Sequence, residues 1–252
     1  MLKRFRDLLT PMSRARYLAW RALKVPSAPV FRLSAGERLA VRRRPAADLD
    51  TAYEIFVSEV YRSPRPIARE SVRRVVDLGA NVGYSCTYFL RAFPNARVVA
   101  FEPHPEHVRL LRANLSRNGA LDRVTVHATA AGTRDEDAFL SDAETVSSIG
   151  AGGGTGQLPV RVEDFFAAVG PEPIDLLKMD IEGGEYDLLA DARFDALPVR
   201  ALVLEWHKTP LHADAPRWCE RRLAEAGFDC VPIEDAARTE NGFIWAYRDG
   251  DR

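Results

Sequence analysis

Four acids stand where apolar runs stop: Asp77 in RRVVDLG, Glu102 in VVAFEP, Asp180 in LLKMD and Glu205 in LVLEWH. A carboxylate can meet a cation, accept hydrogen bonds from hydroxyls or take a proton. Asp77 opens DLGANVG, where Gly79 and Gly83 permit a tight turn and close approach of backbone to a ligand. Asn81 stands where a dinucleotide fingerprint has its middle glycine, and an acid at Asp77 would repel a pyrophosphate. It suits a ligand with an ammonium group. Glu102 ends the next apolar run, the place from which an acid accepts hydrogen bonds from ribose hydroxyls. Asp77, Gly79, Asn81, Gly83 and Glu102 together describe a site for a nucleoside with a cationic amino-acid tail. S-adenosylmethionine matches that description better than NAD.

The second constellation is LLKMDIEGGEYDLL, residues 176–189. Strand alternation puts Lys178 and Asp180 on one face, and a lysine in an apolar run requires a carboxylate partner. Gly183 and Gly184 turn the chain into a helix whose first turn holds Glu185, a favourable place for its charge. That explains Glu185 structurally. Asp180 has no such explanation and is expected to do chemistry, while Glu182 stays open between the two readings. In LVLEWHKTP, Glu205 and His207 point the same way and should share the edge with Asp180. A histidine beside two acids fits a general base oriented by Asp180 or Glu205. The same acids and imidazole can also ligate a divalent cation. His104, His107, His127 and His212 show no comparable partners, and Trp20, Trp218 and Trp245 read as packing.

The elements that must position these residues alternate. RRVVDLG, ARVVAFEP, RVTVHATA, IDLLKMD and VRALVLEWH read as strands. YSCTYFLRAF, PEHVRLLRANLSRNG, GEYDLLADA and APRWCERRLAEAG read as helices. FDCVPI and GFIWAYR close the series without a helix between them, so one strand should be antiparallel. The fold class is α/β, an open and mostly parallel sheet with helices on both faces, whose ligands bind beyond the C-terminal ends of the strands. Residues 67–252 form this domain. Residues 1–66 form an N-terminal extension with short strands around Gly36, a helix over 47–61 with Asp48 as N-cap, and a potential to cap the site. The segment AETVSSIGAGGGTGQLP (143–159), with its glycines at 150–156, reads as a mobile loop near the ligand edge.

Composition bounds the function. The formal net charge of −1 gives no global attraction to nucleic acid. Three scattered cysteines offer neither a zinc spacing nor a disulfide framework and suit a reducing, cytoplasmic setting. No apolar run nears the roughly 20 residues of a membrane span. The first 24 residues carry seven Lys/Arg against Asp7, a pattern open to membrane-surface contact but divided by Pro11 and read as an appended packing helix.

The motifs VVDLGANVGYSCTYF, VVAFEPHPEHVRLLRANL, LLKMDIEGGEYDLL and LVLEWH resemble the FkbM family of S-adenosylmethionine-dependent methyltransferases. The resemblance runs from about 72 to 207, is looser over 38–61 and weak at both ends. It implies a Rossmann-like class I methyltransferase fold with a seven-stranded sheet. It implies cofactor binding by Asp77, Gly79, Asn81, Gly83 and Glu102, and O-methylation of a sugar, polyketide or other small natural-product hydroxyl. By analogy with metal-dependent O-methyltransferases, Asp180 and Glu205 would hold Mg2+. Those enzymes often place a second ligand directly after the fifth-strand acid, where this chain has Trp206, which favours His207 as base. The rival readings are an NAD-dependent oxidoreductase and a non-catalytic binding protein on the same fold. A homodimer through the N-terminal segment is compatible with the sequence.

Overall fold

The computed structural model describes residues 7–23, 29–42, 48–141, 149–150, 157–233 and 239–248. The N-terminal extension supplies α1 (Pro11–Leu23), the hairpin β1 (Val30–Arg32) and β2 (Arg38–Ala40), and α2 (Asp48–Phe56). The Rossmann-like series follows as β3 (Arg74–Leu78), α3 (Tyr84–Ala92), β4 (Arg97–Phe101), α4 (Pro105–Arg117) and β5 (Val124–His127). Short strands β6 (Ala130–Gly132), β7 (Glu136–Ser141), β8 (Ile149–Gly150) and β9 (Gln157–Asp164) come next, then α5 (Phe165–Val169). The chain ends with β10 (Ile174–Met179), α6 (Glu185–Ala190), α7 (Arg193–Ala196), β11 (Val199–His207), α8 (Ala215–Glu225), β12 (Asp229–Ile233) and β13 (Asn241–Tyr247).

The main sheet has seven strands in the order β12-β13-β11-β10-β3-β4-β5. Its strands run parallel except β13, which is antiparallel to both β11 and β12. Strand order reverses between β3 and β10, so the switch point of this doubly wound sheet lies there. β10 is buried along nearly its whole length because both faces are covered.

Alternation divides each strand between two cores. Val75, Leu176, Ala201 and Val203 face one core. Val76, Leu177, Met179, Leu202 and Leu204 face the other. The first core is shared with the N-terminal extension, including Leu9, Trp20, Phe31, Leu39 and Phe56. Tyr17 and Trp20 of α1 pack edge-on against Phe31, and Ala40 N–H donates to the buried Asn114 Oδ1 of α4 at 2.8 Å. By the same alternation Asp77, Lys178, Asp180, Glu205 and His207 lie on the side of the sheet that the extension covers.

Two expectations are corrected. Asp48 is the first residue of α2, and among the described residues Arg42 holds its carboxylate, through its N–H at 2.6 Å and its guanidinium at 2.6–3.2 Å. The segment between β5 and α5 is also not simply a loop. It carries a four-stranded sheet of order β6-β9-β7-β8, with Ala130, Ala138, Leu140, Val160 and Val162 as its small core. The glycine-rich stretch 151–156 lies outside the described residues. No helix among the described residues is long and apolar enough to cross a membrane.

Candidate active site

The turn after β3 rests against the end of β10. A Cβ on Gly79 would lie 1.8 Å from the Asp180 carbonyl oxygen, and Gly79 has φ +76°, so only glycine fits there. Asn81, two residues on, holds φ +46° without being glycine. Its N–H donates to Glu102 Oε2 at 2.9 Å. Glu102 Oε1 accepts the His104 N–H at 2.9 Å and faces His107 Nδ1 at 3.2 Å. The structure thus brings together Gly79, Asn81, Gly83 and Glu102, and adds His107, which sequence spacing left without a partner. α3 starts directly after Gly83 with no side-chain cap on its first N–H groups.

Asp77 lies under this turn and is completely buried. Its Oδ2 accepts from Ser85 Oγ at 2.6 Å and Cys86 Sγ at 3.1 Å, and its Oδ1 is 3.2 Å from Lys178 Nζ. Asp77, expected to meet a ligand's ammonium, faces Ser85, Cys86 and Lys178 inside the protein, and its Oδ1 accepts no hydrogen bond among the described residues. Lys178, 1% exposed, also sits 3.3 Å from Asp180 Oδ2 and donates to the Leu78 and Gly79 carbonyls at 3.0 and 2.7 Å. The parallel register sets Lys178 directly beside Asp77. Burial opposes the lysine's charge, but Asp180 and Asp77 outweigh it and hold its pKa well above the usual value. The partner that the sequence required is therefore a pair of acids.

At the other end of the same motif the excess of acid is larger. Glu185 is fully buried, accepting the Gly183 N–H at 2.7 Å on one oxygen and facing His207 Nδ1 at 2.9 Å with the other. This corrects two expectations. Glu185 is more than helix-start chemistry, and it, not Asp180 or Glu205, orients the imidazole. His207 Nε2 then faces Glu182 Oε2 at 3.3 Å and Asp180 Oδ1 at 3.9 Å. Glu182 has φ +54°, an uncommon conformation for a residue with a side chain. Glu205 accepts from Asn241 Nδ2 at 2.9 Å.

Burial works against the charged imidazole. The hydrogen bond to Glu185 and the charges of Asp180, Glu185 and Glu182 overcome it and raise His207 to about 9. Burial pushes Glu182 up to about 7, with His207 pulling it down and Asp180 and Glu185 pushing it up. Asp180, Glu205 and His207 offer one ligand atom each within 4.8 Å of one another, a donor set that suits a divalent cation.

Two residues of the extension reach the site. Tyr61 packs on Phe89 and Phe243 and places its ring 5.9 Å from Lys178 Nζ. Burial first, then the charges of Asp180, Glu205 and Asp77, keep its hydroxyl protonated against the pull of Lys178. Arg42, held by Asp48, donates to Asn81 Oδ1 at 3.3 Å.

This arrangement fits S-adenosylmethionine: an open helix start beside a glycine turn, a buried acid at the next strand end and surplus negative charge across the switch point. The comparisons agree. Residues 77–230 match the methyltransferase FkbM domain. The 2-O-methyltransferase NoeI of Sinorhizobium fredii is 26% identical over 200 residues, covering 68% of this chain and 74% of NoeI. The AMB antimetabolite synthetase AmbE of Pseudomonas aeruginosa is 31% identical over 197 residues, covering 61% of this chain but 9% of that long protein. The crystal structure of methyltransferase FkbM from Methylobacillus flagellatus superposes with a TM-score of 0.52 at 17% identity, covering 79% of this chain and 52% of the other. The strand order and the matched span lead to one conclusion: this chain belongs to the FkbM family of S-adenosylmethionine-dependent methyltransferases.

Proposed function

We propose that the protein transfers a methyl group from S-adenosylmethionine to a hydroxyl of a small molecule, such as a sugar or a natural-product intermediate. The observation that carries this reading is the His207 cluster at the ends of β10 and β11, where the Asp180 carbonyl lies against Gly79. NoeI, named as a 2-O-methyltransferase, supports the choice of oxygen.

The cofactor supplies a methyl group already activated on a sulfonium. The protein must align the hydroxyl and remove its proton. Glu185 fixes His207 through Nδ1, so Nε2 is turned toward Glu182 and Asp180. At about 9 the imidazole is already protonated at neutral pH, so it serves as a base only together with Glu182, whose value near 7 suits proton uptake. The His207–Glu182 pair receives the hydroxyl proton, while Asp180 and Glu205 hold the acceptor. Tyr61 is buried among Lys178, Asp180 and Glu205.

A second reading is favoured by the convergence of Asp180, Glu205 and His207. These three residues would hold Mg2+ or a similar ion, which when bound lowers the pKa of a hydroxyl.

The experiment is labelled-methyl transfer to a panel of hydroxylated acceptors by wild type and His207→Ala, with S-adenosylhomocysteine binding measured in parallel. The expected loss in turnover is about 100-fold or more, with binding retained. Near-wild-type turnover in His207→Ala would remove both readings. Activity that survives exhaustive chelation excludes the metal. Calorimetry that detected NAD but not S-adenosylhomocysteine would favour the oxidoreductase.

A further inference from the structure

We infer that Arg42 anchors the carboxylate at the amino-acid end of the cofactor, delivered to the site by the N-terminal extension. The inference rests on the cofactor reading above and assigns a residue outside the matched span 77–230.

The amino-acid tail of S-adenosylmethionine carries both an ammonium and a carboxylate. The strand ends offer the ammonium a choice of acids. They repel the carboxylate, because Asp180, Glu182 and Glu205 crowd the β10–β11 edge and Glu102 closes β4. The carboxylate therefore needs a cation on the other side of the turn. Lys178 is enclosed and shared among Asp77, Asp180 and two carbonyls, so it has nothing left to give.

Arg42 is placed otherwise. Its side chain is 14% exposed and rigidly set, with Nε and Nη2 on Asp48, which is itself 3% exposed. Nη2 also reaches Asn81 Oδ1 in the turn. Five N–H donors form a planar fork, and those of Nη1 have no partner among the described residues. Tyr84, the first residue of α3, donates its hydroxyl to the Ala40 carbonyl at 2.7 Å, which ties the approach to Arg42 to the helix start. The Nη1 end of the guanidinium and an uncapped helix start then lie beside one turn, an arrangement that recognises a carboxylate. Asp48 and Asn81 fix the fork in place and leave the two N–H groups of Nη1 for the ligand.

The test is calorimetry on wild type, Arg42→Met and Arg42→Lys with two probes. One is S-adenosylhomocysteine. The other is 5′-(3-aminopropylthio)-5′-deoxyadenosine, which keeps the ammonium and lacks only the carboxylate. Wild type should prefer the first by about 10-fold or more, as a charged hydrogen bond implies. Arg42→Met should bind both within about threefold of each other, with affinity for the second near wild type. Equal weakening of both probes would make Arg42 a clamp on the turn, and a retained preference would place the carboxylate elsewhere; either result overturns the assignment. Should Arg42→Met fail to fold, Arg42→Lys carries the same comparison, since it keeps charge but loses the fork. If wild type binds neither probe, the cofactor reading fails first and the assignment falls with it.

Discussion

The stretch from Lys178 to Glu185 serves two regions that use the same residue types to opposite ends. Under the glycine turn, Lys178 is matched by Asp77 and Asp180, sealed from solvent and saturated with acceptors. A few residues along, His207 meets Asp180, Glu182 and Glu185 with partial access to solvent. The first region sets one cation against two acids and keeps that cation enclosed. The second has more acid than cation, and the excess shows as one histidine that holds its proton and one glutamate that titrates near neutrality. Burial of charge builds structure where every partner is internal, and builds reactivity where one is left to be supplied.

The largest effect should come from breaking the sealed region. Lys178→Met leaves Asp77 buried without its cation and should cost about 3–5 kcal/mol, read by chemical unfolding. Adding Asp77→Asn should recover much of that loss, because it removes the stranded charge. No recovery would mean that Lys178 matters through its carbonyl contacts. In the open region, Glu185→Gln should change chemistry more than fold. It removes a raising influence on His207, so the pH dependence of kcat should move to lower pH. A lowered rate with an unmoved profile would reduce Glu185 to packing.

A smaller effect concerns stability against pH. His207 has a folded value of about 9 against an ordinary 6.5, raised despite burial by Glu185, Asp180 and Glu182. Its stabilising contribution is fully present below about 6.5 and is lost as pH rises through about 9. Melting temperature measured with chelator present should therefore fall across that window, and fall less in His207→Gln. The smallest change should be Tyr61→Phe, which keeps the ring over Lys178 and removes a hydroxyl. Melting should shift by no more than a few degrees, about what 1 kcal/mol produces in a chain of this size.

The contrast also marks what was legible in the sequence. The strand-end acids were, because short apolar runs with glycine turns show where strands stop, and a parallel sheet gathers those ends. That Lys178 needed a carboxylate was legible as well. Its partners were not, since pairing with Asp77 depends on β3 lying beside β10, a crossover that local pattern does not encode. Glu185 was hidden by a sufficient local explanation: an acid in a helix's first turn raises no question until β11 brings His207 against it. Arg42 and Asp48 were obscured because the extension's route to Asn81 is set by tertiary packing on α4 and α3. The β6–β9 sheet escaped notice because its strands are short and interrupted by glycine and proline.

The central claim is that the cofactor lies over the Gly79–Gly83 turn with its reactive sulfur facing the His207 cluster. A crystal structure with S-adenosylhomocysteine tests it most directly. The account predicts the ribose hydroxyls on Glu102 and the sulfur turned toward His207, Glu182 and Asp180, with space for an acceptor between them. A ligand bound with its sulfur turned away from that cluster, or seated elsewhere on the sheet, would contradict it.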